Sequence, residues 1–214
     1  MKTGAPSFRR RSILLAGAGI LALVLTACTG RGGGQLPPQG LVFKAPASFG
    51  FTFSCEDSGG INRQTGQLRI QLSYTDHGSN PLGSGFSIHG IVDTIDPVVE
   101  SAVCIGDEPA PGGLLTFLGR YYLSSSAPAG FKSECSKGKT DTTPLCRFEV
   151  TVQDNDRNLA PSPRDSFSIK LSTVTARCDA PTLEGLDPTC SQLPAASVFY
   201  TRAGLLSSGN LTVD

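Results

Sequence analysis

The feature that most restricts this chain is an alternation of apolar and polar residues with period two, recurring from about residue 47 onward. In Gln67-Leu68-Arg69-Ile70-Gln71-Leu72-Ser73-Tyr74, Leu68, Ile70, Leu72 and Tyr74 fall on one side and polar residues on the other. The runs 146–153 and 166–171 repeat the pattern, and less regular runs lie at 47–55, 86–93, 98–105, 114–123, 196–202 and 209–213. Successive side chains of a strand point to opposite faces, so each run predicts a half-buried strand. Clusters of Gly, Pro, Asn and Asp at 78–85, 106–113, 154–165 and 203–209 separate them and supply turn chemistry. No window beyond residue 27 carries a helical period. About nine strands in residues 41–214 predict an all-β domain, an antiparallel two-sheet β-sandwich (Ig-like or similar), because two facing sheets bury the apolar sides of both. The 25 glycines, 15 prolines and 17% charged residues oppose a helical bundle or coiled coil.

The first 27 residues differ in kind. Arg9-Arg10-Arg11 precedes an apolar run from Ile13 to Ala27, broken only by Gly17, Gly19 and Thr26. As a helix the run spans about 22 Å, short of a hydrocarbon core of about 30 Å, so it fits a secretion signal better than a permanent span. Its end, Leu25-Thr26-Ala27-Cys28, resembles the lipobox of bacterial lipoproteins. The resemblance implies removal of 1–27 and attachment of diacylglycerol to the Cys28 thiol, with acylation of the new amino group. Several acyl chains anchor a protein durably where one is marginal. Arg10-Arg11-Ser12-Ile13-Leu14 also resembles a twin-arginine export signal, with Arg9 where Ser or Thr is usual. Thr29, rather than the Asp that retains some lipoproteins at the inner membrane, favours the outer membrane in a two-membrane cell. Residues 28–40, with Gly30, Gly32, Gly33, Gly34 and Pro37-Pro38, are expected to form a tether between the lipid and a domain at 41–214.

Export sets the reading of the cysteines. Past Cys28 there are six: Cys55, Cys104, Cys135, Cys146, Cys178 and Cys190. Three disulfides are the default on the oxidising side of a membrane, with 15 connectivities open. Spacing favours Cys135–Cys146 and Cys178–Cys190 as local staples and leaves Cys55–Cys104 as the long bridge. Zinc is disfavoured, since there is no C-x-x-C pair and His77 and His89 are the only histidines. Nucleic acid is disfavoured too. Lys2, Arg9, Arg10 and Arg11 all lie in the first 27 residues, which carry no acid, so the remainder has 18 − 4 = 14 basic against 18 acidic groups.

The order of several strand-and-turn segments resembles the post-COAP domain of exported bacterial proteins. The segments are Gly66-Gln67-Leu68 through Gly78, His89-Gly90-Ile91-Val92-Asp93, Phe148 through Asn155, Asp165 through Leu171, and Tyr200-Thr201 through Val213. Together they cover most of 50–214. The chain departs from that pattern in its extra cysteines and in a longer loop after Asp154. The resemblance implies a β-sandwich accessory module and supplies no catalytic residues.

Candidate sites are few. Asp154, Asp156, Asn158 and Asp165 occupy positions 1, 3, 5 and 12 of a calcium-loop spacing, whose hard oxygens would suit Ca²⁺. Leu159 replaces the glycine such a loop needs, and Pro161 and Pro163 stiffen it, so a polar turn is the simpler expectation. Ser87 in Gly85-Phe86-Ser87-Ile88-His89 starts like a nucleophile elbow, but His89 stands where the second glycine belongs. A hydrolase triad would have to draw on Ser87, His77 or His89, and Asp93. Ser136-Lys137-Gly138-Lys139 matches S-x-x-K without its partner motifs. Acidic Asp93, Asp96, Glu100, Asp107 and Glu108 sit among turns, where solvated surface is expected. Of Tyr121-Tyr122, alternation directs one ring inward and one outward. The sequence therefore points to a non-enzymatic envelope lipoprotein, anchored in the cell or outer membrane and facing the periplasm or exterior, with a protein or glycan as partner. A ligand- or calcium-binding surface module is the alternative, and a secreted hydrolase stands third. No cofactor is expected, calcium entering only with the alternative reading.

Overall fold

A computed structural model describes residues 27–56, 69–91, 94–96, 99–100, 104–110, 113–141, 144–155, 164–175 and 193–213. The strands are β1 (Ala27–Leu36), β2 (Ala47–Glu56), β3 (Arg69–Asp76), β4 (Phe86–Ile91), β5 (Thr94–Asp96), β6 (Val99–Glu100), β7 (Cys104–Ala110), β8 (Leu114–Leu123), β9 (Arg147–Gln153), β10 (Ser166–Ser172), β11 (Val198–Leu205) and β12 (Ser208–Val213). Among the described residues there is no α-helix, only short 3₁₀ turns such as Ser133–Cys135 and Ala195–Ser197. None is long and apolar enough to cross a membrane.

Ten strands share one antiparallel sheet in the order β11-β10-β9-β8-β4-β3-β2-β1-β12, with β7 paired to β8 beside this path; β5 and β6 form a separate pair. The ladder from Ile88↔Leu123 to Ile91↔Arg120 joins the two halves, so the expected pair of sheets is hydrogen-bonded into one. That sheet is curled. β2 and β10 lie five strands apart along the path, about 24 Å on a flat sheet. Yet Phe49 of β2 stacks on Phe167 of β10 with ring centroids 3.7 Å apart. Tyr74 of β3 likewise meets Tyr200 of β11 at 6.2 Å. Curling turns the apolar sides of both halves inward, which satisfies the same alternation that two sheets would. The core is rich in aromatics: Phe51, Phe53, Phe86, Phe117, Phe148 and Tyr121 are all buried with those named above. Gly90 and Gly119 make room for the Phe148 ring, which a Cβ at either position would strike.

β1 corrects the expected boundary. Residues 28–36, assigned to a tether, belong to β1, a strand between β2 and β12 with ten register pairs to β2 and six to β12 over Ala27–Leu36. Its glycines serve close approach rather than flexibility. A Cβ on Gly30 would collide with the Leu115 side chain, and one on Gly32 would lie 2.6 Å from the Asn210 carbonyl oxygen. The folded unit thus takes in residues on the N-terminal side of position 41.

Two polar devices hold the curl. Arg202 (β11) and Asp76 (β3) are fully buried and pair through Nη1 and Oδ2 at 3.0 Å. Arg202 Nη2 also donates to the carbonyls of Pro37 and Ala45, at 3.0 and 2.8 Å, and its guanidinium lies 4.7 Å from the Phe43 ring centre. The Tyr200 hydroxyl donates to Asp76 at 2.7 Å and meets the Tyr74 hydroxyl at 2.5 Å. Burial pushes all three buried phenols, Tyr74, Tyr121 and Tyr200, well above the usual tyrosine range. This network ties β3 to β11 and pins the β1–β2 connection against both.

The second device is at β12. In an antiparallel ladder alternate residues direct their N–H groups to opposite edges. On the edge away from β1, Leu211 N–H donates to Asp165 Oδ2 at 2.9 Å and Val213 N–H to Asp154 Oδ2 at 3.3 Å. Two carboxylates from the β9–β10 connection therefore stand in for a neighbouring strand. Their partners also include the Asn155 N–H, which donates to Asp165 Oδ1 at 3.0 Å.

Candidate functional site

The outward-facing residues of β2, β3, β4 and β8 line an open depression on the sheet. Register aligns Gly50, Ser73, His89 and Tyr122 in one row across the four strands. The neighbouring row holds Thr52, Gln71 and Ile91, and register continues it to Arg31 on β1 and to buried Arg120 on β8. Strand spacing makes the four-residue row about 14 Å wide. The depression has a volume of about 440 Å³, within the span of small-molecule sites.

Local sequence explains its shape. At the wall, Tyr122 and His89 bring their rings together at 5.5 Å with a 36° tilt. Tyr122 is half-buried while Tyr121, on the opposite face, is fully buried, as alternation requires. At the floor, Gly50 stands mid-strand without a packing reason: a Cβ there would meet nothing nearer than the Gly32 carbonyl oxygen at 3.9 Å. A side chain at 50 would project into the depression. Thr52, Gln71 and Ser73 are exposed and offer hydroxyl and amide groups. Among the described residues, no Asp, Glu, Lys or Arg lines the depression.

The other candidate residues are dispersed. Asp154 and Asp165 are buried and committed to backbone N–H groups, while Asp156 and Asn158 lie outside the described residues. Among the described residues no group of three or more His, Cys, Asp or Glu is placed to hold a metal ion. The Ser87 hydroxyl meets Thr75 at 2.9 Å rather than a histidine. His77 Nε2 meets the Ser48 hydroxyl at 2.8 Å, a contact that sequence spacing did not suggest. Asp93 lies outside the described residues. Ser136 donates to the Ser133 carbonyl oxygen and Gly138 N–H to Asp141, so the S-x-x-K match is turn structure.

Of the cysteines, Cys135 and Cys146 form the expected disulfide, with Cα atoms 5.3 Å apart, buried in the core beside β9. The Cys178–Cys190 pairing lies outside the described residues, as do residues 1–26. Backbone register sets Cys28 opposite Cys55, and Cys104 opposite Phe117; the side chains of these three cysteines, and so the Cys55–Cys104 pairing, are outside what is described. No known protein family, curated protein or solved structure matches the chain.

Proposed function

We propose that this chain is an exported, lipid-anchored envelope protein whose β domain holds a ligand or partner without transforming it. The observation that carries the reading is the Cys135–Cys146 disulfide in a chain that opens with a basic–apolar leader ending in Leu25-Thr26-Ala27-Cys28. Disulfides persist on the oxidising side of a membrane, where that leader would deliver the protein. The ordered likeness to the post-COAP module supports an accessory role. We take the curled sheet to act as a sandwich, the inner faces of β2 and β3 packing on those of β10 and β11. In this reading the lipid on Cys28 lies two residues before Gly30, a buried member of β1. The domain then rests against the bilayer with no spacer, and its groove is held at a fixed height. Labelling cells with a palmitate analogue tests the proposal. Wild-type protein should take up label and pellet with membranes, whereas Cys28→Ala should do neither; unlabelled wild-type protein in the soluble fraction would overturn it.

A further inference from the structure

The recognition reading leaves the ligand open, and the groove on β2, β3, β4 and β8 narrows it. We infer that this groove binds a neutral saccharide. The inference rests on the recognition role proposed above and adds the ligand class. Three observations carry it. First, among the described residues that line the depression there is no Asp, Glu, Lys or Arg, and the nearest exposed charge in register, Arg31 opposite Thr52, stands one strand outside it on β1. An ionic ligand on the floor would therefore lose its hydration without a counter-charge in the lining. Second, the floor and rim carry Thr52, Gln71 and Ser73, exposed donors and acceptors suited to ligand hydroxyls. Third, the paired His89 and Tyr122 rings give the groove a single aromatic wall, against which the C–H face of a sugar ring can pack while its hydroxyls reach the polar row. Gly50 fits the same use, since the space above it is bare for no conformational or packing reason. The groove runs across the strands, which suits a short oligosaccharide lying on the sheet. A peptide adding a strand would need a free edge, and this groove lies in the middle of the sheet.

The test uses protein purified from membranes in detergent. The probes are the trimer of N-acetylglucosamine, cellotriose and maltotriose, followed by calorimetry and by the NMR shifts of the His89 and Tyr122 rings. At least one trisaccharide should release heat and move both rings. Tyr122→Ala and Gly50→Leu should each weaken that binding at least about tenfold, with thermal unfolding unchanged, while Tyr122→Phe keeps it. Binding that is indifferent to both substitutions overturns the site. If no trisaccharide binds, yet Gly50→Leu abolishes capture of an envelope protein, the saccharide class falls and the recognition role stands. If neither saccharide binding nor groove-dependent capture occurs, both fall.

Discussion

Asp165→Ala is the substitution that most sharply separates closure of the sheet from metal binding. The buried carboxylate accepts from Leu211 N–H at 2.9 Å and Asn155 N–H at 3.0 Å. Hydrogen bonds to a charged group contribute about 1.5–3 kcal/mol each, and a buried donor left unmatched incurs its full desolvation cost. Asn155 N–H lies nearer solvent and can turn to water, so its share falls at the low end. Leu211 N–H is buried and has no substitute. The expected loss is about 3–4 kcal/mol, a large fraction of the 5–15 kcal/mol typical of a folded domain. In urea unfolding followed by circular dichroism, the midpoint should drop by about 1–2 M at unchanged slope. Asp165→Asn, which keeps one acceptor and turns an NH₂ on the other donor, should lose less. The measurement is made with calcium and again with a chelator. A loss under about 1 kcal/mol, or a difference between wild type and variant that exists only with calcium present, would refute the closure argument and return Asp165 to the role of a metal ligand.

Other expectations follow from the same contacts. Asp76→Ala should cost about 3–5 kcal/mol by stranding the buried Arg202, while Asp76→Leu combined with Arg202→Met should recover most of the loss; additive effects in the double-mutant cycle would contradict the network. Replacing Cys135 and Cys146 with serine should remove about 3 kcal/mol, judged from the 11-residue separation, in the same urea assay. The buried phenols of Tyr74, Tyr121 and Tyr200 have raised pKa values. The native state then holds protons that the unfolded chain releases, so their contribution is complete below pH 10 and is lost as pH climbs beyond it. Ultraviolet difference titration should show these three ionising together with unfolding; gradual ionisation in an intact fold would contradict their burial. A chain starting at residue 41 should show no cooperative unfolding, whereas one starting at residue 28 should; a stable 41–214 fragment would contradict the place of β1 in the sheet.

What the sequence disclosed tracks how local each signal is. β3, β9 and β10 were legible because a half-buried strand writes its own alternation, as in Leu72–Tyr74 or Phe167–Ile169–Leu171. Cys135–Cys146 was legible because eleven residues of separation make a local loop. β1 was not, since Gly30 and Gly32 look like flexible linker until Leu115 and Asn210 are seen against them. The Asp76–Arg202 pair spans 126 positions and belongs to no motif. Asp154 and Asp165 were picked out as a calcium pair because oxygen spacing was visible and the β12 amides they serve were not. The groove hid for a similar reason. It takes one residue from each of four strands, so only register assembles Gly50, Ser73, His89 and Tyr122, and alternation alone could say no more than that one of the two tyrosines faces out.

The most direct check of a lipid-anchored, oxidised envelope protein is intact-mass and peptide mass spectrometry of the protein isolated from membranes without reduction. The account predicts an N-terminus at Cys28 carrying diacylglycerol on its sulfur, together with a Cys135–Cys146 crosslinked peptide. Retention of residues 1–27, or a Cys28 sulfur bonded instead to Cys55 opposite it in the sheet, would contradict it.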